Sequence, residues 1–175
     1  MNDPRARLAA LFGLRGAQDW ARHANPWSFW TRAAILPLMA GAIWSRFWIG
    51  PWALVPVIAL VLWAFLNPRA FPPVAPNRGF CWRAVMGERL WVGPGRAALP
   101  EAEARRILAA ERMAIPPALL CAWGLWAGHA GAAAIGVALT AAAKFGFLAL
   151  MARLPEGGGD DAAARETGAK ADADR

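Results

Sequence analysis

The uncharged run at residues 47–66 constrains the fold of this chain more than any other feature. Its 20 residues are enough for a helix that crosses the ~30 Å apolar core of a bilayer. A second apolar stretch, residues 33–44, lies directly before it, and the pattern recurs at residues 113–128 and 130–143. The sequence therefore predicts an all-α membrane protein with four transmembrane helices arranged as two hairpins.

Asparagine and proline mark the expected ends of the first hairpin. Asn25 is a good N-cap and Pro26 is favoured at the first helical position, so a helix should begin there and run to about Arg46. Pro51 is expected to open the return helix. That helix should end at residue 66, because the proline of the Asn67-Pro68 pair disfavours the helical conformation in the residue before it.

The second hairpin is expected to turn at Gly128-His129. Its two arms carry small residues at helical spacing, among them Gly124 on the first arm and Gly136 on the second. Small residues let helix backbones approach closely inside a membrane. We expect the two arms to pack tightly against each other.

Between the hairpins the chain is rich in proline and arginine. Residues 67–100 contain six prolines, and Arg83, Glu88 and Arg89 scatter around the helical wheel of residues 80–92. An irregular cytosolic connector is expected, with a helix only over residues 101–112. The expected organisation is a basic cytosolic arm (1–25), the first hairpin (26–66), the connector (67–112), the second hairpin (113–152) and a disordered tail (153–175).

The net charge of +7 resides mainly in arginines that flank the apolar runs. Short arginine-rich segments stay in the cytosol, so both termini and the connector are expected there. This distribution favours anionic membrane lipids as partners rather than nucleic acid. We expect a multi-pass protein of the bacterial inner membrane, with a membrane-protein partner or a second copy of the chain as further possibilities.

The strings His23-x-Asn25-Pro26-Trp27-Ser28-x-Trp30-Thr31-Arg32 and Asn67-Pro68-Arg69-x-Phe71-Pro72-Pro73 are distinctive. They resemble a family of small bacterial membrane proteins of unknown function, over roughly residues 20–150. The resemblance implies a bacterial integral membrane protein. That family has no assigned activity to carry over.

Seven polar residues are expected to gather at the cytosolic surface, because both ends of the first hairpin lie there. They are predicted to bind a lipid head group or a phosphate, with arginines as bidentate donors, and comprise His23, Asn25, Arg32, Asn67, Arg69, Glu88 and Arg89. A purely structural alternative stays open. In it, Asn25 caps a helix, Asn67 stops one, and Glu88 pairs with a nearby arginine.

No motif in the sequence indicates catalysis, a metal or a cofactor. His23 with Glu88 would form a general acid/base pair, but no nucleophile or metal-ligand signature accompanies them. Lys144 lies near the end of the fourth span, where snorkelling to the surface explains its charge. We predict a non-enzymatic accessory protein or lipid-interacting scaffold. The alternative is a membrane enzyme or binding protein that acts on a lipid head group or phosphate.

Overall fold

The computed structural model describes residues 4–154, in which helices and short 3₁₀ turns are the regular structure. This confirms the all-α prediction for those residues. Residues 1–3 of the arm and residues 155–175 of the predicted tail lie outside the described part. The helices are α1 (Pro4–Leu11), α2 (Ala17–His23), α3 (Pro26–Ala33), α4 (Ile35–Trp44), α5 (Arg46–Ile49), α6 (Leu54–Ala70), α7 (Phe80–Val92), α8 (Glu101–Arg112), α9 (Ile115–Ala127) and α10 (Ala130–Met151).

The first hairpin begins as the sequence predicts and is interrupted at Ala34, at Ser45 and near Gly50. The side chain of Asn25 caps α3 by accepting a hydrogen bond from the Trp27 N–H at 3.0 Å, and Pro26 takes the first helical position. The chain reverses through α5 and a 3₁₀ turn at Gly50–Ala53, where Gly50 has a φ of 55°. Helix α6 then returns along α3 and α4.

Helix α6 ends at Ala70, so the predicted stop at residue 66 is wrong. Pro68 lies in the last turn of the helix. The fully buried side chain of Asn67 is bonded to α3, and these bonds outweigh the proline's bias against helix in the preceding residue. Pro56 lies in the first turn, where a missing N–H leaves no intrahelical bond unmade.

The second hairpin confirms the predicted turn and the predicted close packing. Gly128 ends α9 in the left-handed conformation with a φ of 74°, and the next residue begins the return. Gly124 contacts the backbone of Ala133, and Gly136 contacts the backbone of Cys121. A side chain at either glycine would overlap the facing helix.

Two helical stretches of the described chain are long and apolar enough to cross a membrane: Pro26–Ala70, which contains the whole first hairpin, and Ala130–Met151. The most apolar 18 residues of each are mostly exposed, with 6% and 22% of them buried. The four-span arrangement stays a prediction.

The connector is largely helical, so the prediction of an irregular segment is wrong for α7. The charged residues of this helix do not prevent a buried face, which combines Trp82, Leu90 and Trp91 with the smaller Ala84, Val85 and Gly87. Gly87 contacts the backbone of Met151 at the end of α10, while Arg83 is exposed. The helical wheel missed this face because alanine and glycine contribute little hydrophobicity and the half-buried Glu88 and Arg89 border it.

The largest buried core lies at one end of the molecule. Helices α2, α7 and α8 surround the C-terminal end of α10, and we call this assembly the helical cap. Its fully buried side chains include Trp91 of α7, Ile107 of α8 and Met151 of α10. A smaller cluster around Cys121 and Leu125 joins the two hairpins. The helical cap therefore fixes where the ends of α3, α6 and α10 meet.

Candidate functional site

A cavity of about 650 Å³ lies where the arm, the first hairpin and the helical cap meet. Its walls are mainly apolar and include Leu8 and Phe12 of the arm together with Ile35 and Met39 of α4. The charged residues and the histidine on its wall come from five different helices: His23, Arg32, Glu88, Glu111 and Lys144. A smaller cavity of about 250 Å³ lies beside it, between α3 and α10.

Arg32 is the central cation of this site. Its Nη2 donates a hydrogen bond to the carbonyl oxygen of His23 at 3.0 Å, and its Nη1 lies against the His23 ring nitrogens. Within residues 4–154, no carboxylate forms an ion pair with Arg32. The guanidinium is thus held in a mostly apolar cavity without a direct counterion.

His23 is uncharged, so it neither offsets the positive charge of Arg32 nor adds a second positive charge to the site. Burial, together with the positive charges of Arg32 and Lys144, lowers the pKa of His23 from 6.5 to about 2. The imidazole is therefore neutral at physiological pH. It orients Arg32 as a hydrogen-bonding neighbour while the full positive charge of the guanidinium remains.

Glu88 and Lys144 form the second polar pair of the cavity. Lys144 Nζ lies 2.7 Å from Glu88 Oε1 and 4.7 Å from the centre of the Phe147 ring. Lys144 therefore has an ion-pair partner in Glu88, which neither the snorkelling interpretation of Lys144 nor the expected pairing of Glu88 with an arginine included. The two residues are far apart in sequence, and the only signal was the default importance of a lysine within an apolar run.

The two predicted asparagines have their amide groups engaged within the fold. Asn25 Nδ2 donates to the Pro72 carbonyl at 3.1 Å, while its oxygen caps α3. Asn67 Oδ1 accepts a hydrogen bond from Ser28 Oγ at 2.6 Å, and Asn67 Nδ2 donates to Thr31 Oγ1 at 2.7 Å. Both residues position the α3 and α6 ends that form the cavity wall.

Arg69 and Arg89 do not line either cavity. Arg69 is exposed, donates from Nη1 to the Phe65 carbonyl at 3.2 Å, and lies against Gly13 of the arm. Arg89 is half-buried on α7. The structure thus brings three of the seven predicted residues, His23, Arg32 and Glu88, to the wall of one cavity and adds Lys144 to them.

This arrangement can bind an anion more readily than it can transfer a proton. His23 and Glu88 face the same cavity, but the former contacts Arg32 and the latter pairs with Lys144. Among residues 4–154, no group of three His, Cys, Asp or Glu side chains could hold a metal ion. A guanidinium in an apolar cavity is suited to a phosphate or carboxylate carried by an amphipathic molecule.

Comparison with known proteins places the chain in a family without assigning it an activity. No curated protein and no solved structure matches it significantly. The model of a family of unknown function, DUF6653, matches residues 4–173, which is nearly the whole chain. The bacterial origin implied by the sequence motifs stays a prediction. By this match, the chain belongs to the DUF6653 family of unknown function.

Proposed function

We propose that this chain is a four-span protein of the bacterial inner membrane, with both termini in the cytosol, that binds the anionic head group of a membrane lipid. The cavity at the helical cap is the binding site, and the protein acts as a lipid-interacting scaffold. The single observation that carries the proposal is Arg32, a cation in a mostly apolar cavity that has no ion-pair partner among residues 4–154.

Exposed apolar surface supports the membrane part of the proposal. Leu54, Ile58 and Leu62 recur on one face of α6, and all three are more than half exposed. Contiguous apolar surface of this kind marks an interaction with a membrane or a partner. The helical cap, by contrast, has its own buried core and needs no lipid to cover it.

Exposed tryptophans near both ends of the hairpins support a membrane-spanning arrangement. Trp27 and Trp30 lie near the helical cap, while Trp48, Trp52 and Trp126 lie at the far turns. Helices α3 and α4 together are ~28 Å long at 1.5 Å per residue. This separation is close to the thickness of the apolar core of a bilayer, whose two boundaries favour tryptophan.

The four-span arrangement is supported by the pairing of the helices. Helix α6 runs back along α3 and α4, and α9 packs along α10, so each hairpin has two arms of opposite direction. The 13 residues of α9 measure only ~20 Å, which local thinning of the bilayer would accommodate. The arginines of the arm and connector support a cytosolic helical cap, because short arginine-rich segments stay in the cytosol.

The charge of Arg32 supports an acidic head group as the ligand. Arginine offers a planar fork of donors that matches phosphate oxygens, and a low-dielectric wall strengthens the attraction. The neighbouring imidazole of His23 is neutral, so it does not offset the positive charge that attracts the head group. A lipid would place its phosphate at Arg32 and its chains along the apolar wall.

Binding by the full-length protein in detergent micelles tests the head-group site. Native mass spectrometry should detect phosphatidylglycerol bound more tightly than phosphatidylcholine, while inorganic phosphate alone should bind weakly because it lacks the apolar part. Arg32→Gln should weaken phosphatidylglycerol binding by about tenfold. Arg105→Gln is the matched control, since Arg105 is exposed and pairs only with Glu101 on the same helix. Equal binding by the Arg32 variant and the wild-type protein would refute the proposal.

The topology is tested independently of the ligand. Single cysteines introduced at the exposed positions Trp48 and Arg153, in a chain without Cys81 and Cys121, should label differently in intact cells. A membrane-impermeant maleimide should modify the Trp48 position and leave the Arg153 position unmodified. Labelling of both positions from outside would contradict the cytosolic placement of the C-terminal end.

A further inference from the structure

The two cavities meet at one polar junction. The larger cavity lies under the arm and the smaller one lies between α3 and α10, and both are bordered by the same polar side chains. The residues that the two cavities share are His23, Arg32, Leu36, Glu88 and Lys144. An anionic group bound at this junction would therefore have two separate apolar spaces beside it.

The smaller cavity has an apolar character of its own away from the junction. Its walls are Phe29 and Ala33 on α3 and Ala141 and Phe145 on α10. The exposed Trp30 lies at its rim, with its ring centre 5.9 Å from that of Phe145. This space lies between two helices that belong to different hairpins, so a lipid chain can reach it from the side.

The charge of the junction matches one negative charge. Among residues 4–154, no carboxylate lies within ion-pair distance of Arg32, the Lys144–Glu88 pair is neutral overall, and His23 is uncharged. Glu111 also borders the larger cavity, but it does not border the smaller one and so lies outside the shared junction. A phosphodiester carries a single negative charge, whereas a phosphomonoester carries about −1.5 to −2 at pH 7.

We infer that the ligand is a two-chained phosphodiester lipid, with its phosphate at Arg32 and one acyl chain in each cavity. This inference rests on the proposed head-group function and names the ligand class of the same site. The two apolar spaces distinguish a diacyl lipid from a single-chain one. The charge balance distinguishes a phosphodiester from a phosphomonoester such as phosphatidic acid.

The experiment compares lipids that differ in one feature each, using the full chain in detergent micelles and native mass spectrometry. Dioleoyl phosphatidylglycerol should bind at least about tenfold more tightly than its single-chain lyso form. It should also bind more tightly than dioleoyl phosphatidic acid. Equal affinity for the diacyl and lyso forms would overturn the two-chain inference, and a preference for phosphatidic acid would overturn the charge assignment.

A variant that fills the smaller cavity tests where the second chain lies. Ala141→Phe should lower the affinity for the diacyl lipid to that for the lyso form and leave lyso binding unchanged, which also shows that the variant is folded. Ala142→Phe is the matched control, because the neighbouring residue is exposed and does not line the cavity. Ala33→Leu fills the same space from α3 and should act like Ala141→Phe.

The outcomes separate this inference from the proposed function. If Ala141→Phe and Ala33→Leu both retain the preference for two chains while Arg32→Gln loses anionic binding, the inference fails and the head-group site stands. If Arg32→Gln binds phosphatidylglycerol like the wild-type protein, the head-group site itself fails. If Ala141→Phe loses lyso binding as well, Ala33→Leu alone decides, by keeping or losing the two-chain preference.

Discussion

The two hairpins hold their arms together by different means. In the second hairpin, Gly124 and Gly136 bring the backbones of α9 and α10 into direct contact. In the first hairpin, Asn67 of α6 is hydrogen-bonded to the hydroxyls of Ser28 and Thr31 on α3. Close backbone packing and interhelical hydrogen bonds are the two main ways in which helices associate in an apolar solvent.

The difference between the hairpins follows from what each must do. The glycine-packed hairpin supports the site, because α10 carries Lys144 and its C-terminal end is held in the helical cap. The hydrogen-bonded hairpin carries Arg32 one residue after Thr31, so the same short segment both holds α6 and presents the guanidinium to the cavity. In the first hairpin, the proposed binding residue therefore lies next to a residue that holds the two helices together.

The largest expected effect is in the second hairpin. Gly136→Leu would place a side chain on the backbone of Cys121, and we expect a loss of about 3 kcal/mol in the free energy of unfolding, because overpacking forces the helices apart. Unfolding by SDS in mixed micelles measures it. Gly131→Leu is the control, since this glycine of α10 faces open space. Similar losses for both variants would remove close packing as the distinguishing feature.

Acidification should weaken the base of the first hairpin. With a pKa of about 2 in the folded protein and 6.5 in the unfolded chain, His23 binds its proton only on unfolding, so stability is full above pH 6.5 and falls as the pH is lowered. The loss between pH 7 and pH 5 should be about 2 kcal/mol. His23→Gln should flatten this part of the pH profile, and His129→Gln, at the exposed far turn, should not.

The hydrogen bonds of the first hairpin should contribute somewhat less. Asn67→Ala removes the partner of both Ser28 and Thr31, and we expect a loss of about 1–2 kcal/mol, since each such bond within a membrane contributes on the order of 0.6 kcal/mol and a small cavity is added. The exposed Asn77→Ala serves as the control. A double variant with Ser28→Ala that shows full additivity would mean that the two side chains do not interact.

The smallest expected effect is at the contact between the hairpins. Arg46 donates from Nη2 to the carbonyl of Trp126 at 3.1 Å and also to that of Leu125, the last carbonyls of α9. Arg46→Gln should cost about 1 kcal/mol, because a cation at a helix C-terminus is favourable by that amount. SDS titration against Arg105→Gln provides the comparison. No loss at all would leave the small apolar cluster around Cys121 as the main link between the hairpins.

Much of the fold could be predicted from local sequence signals. Asn25 and Pro26 specified the start of α3, and Gly128 specified the end of α9, because capping and left-handed turns depend on the residue itself. The same signals failed at Asn67-Pro68, where tertiary hydrogen bonds extend α6. They also failed at α7, where buried alanine and glycine interrupt the hydrophobic pattern of the buried face and charged residues border it.

Only part of the candidate site was accessible from the sequence. His23 and Arg32 could be grouped because they lie close together along the chain, with one helix start between them. Glu88 was placed on the same surface by the hairpin argument, but its pairing with Lys144 was not predicted. The Lys144–Glu88 pair depends on how α7 packs against α10, and nothing local in either segment specifies that packing.

The sequence by itself determined the long apolar helices, their turns and the glycine contacts of the second hairpin, because these depend on length, composition and residue conformation over a few turns. The tertiary structure alone decided that the connector folds into a helical cap around the end of α10, and that the cavity joins Arg32 to Lys144 and Glu88. The physical reason is that the contact of Gly87 with the backbone of Met151 and the Lys144–Glu88 pair both depend on how α7 packs against α10, which no local pattern specifies.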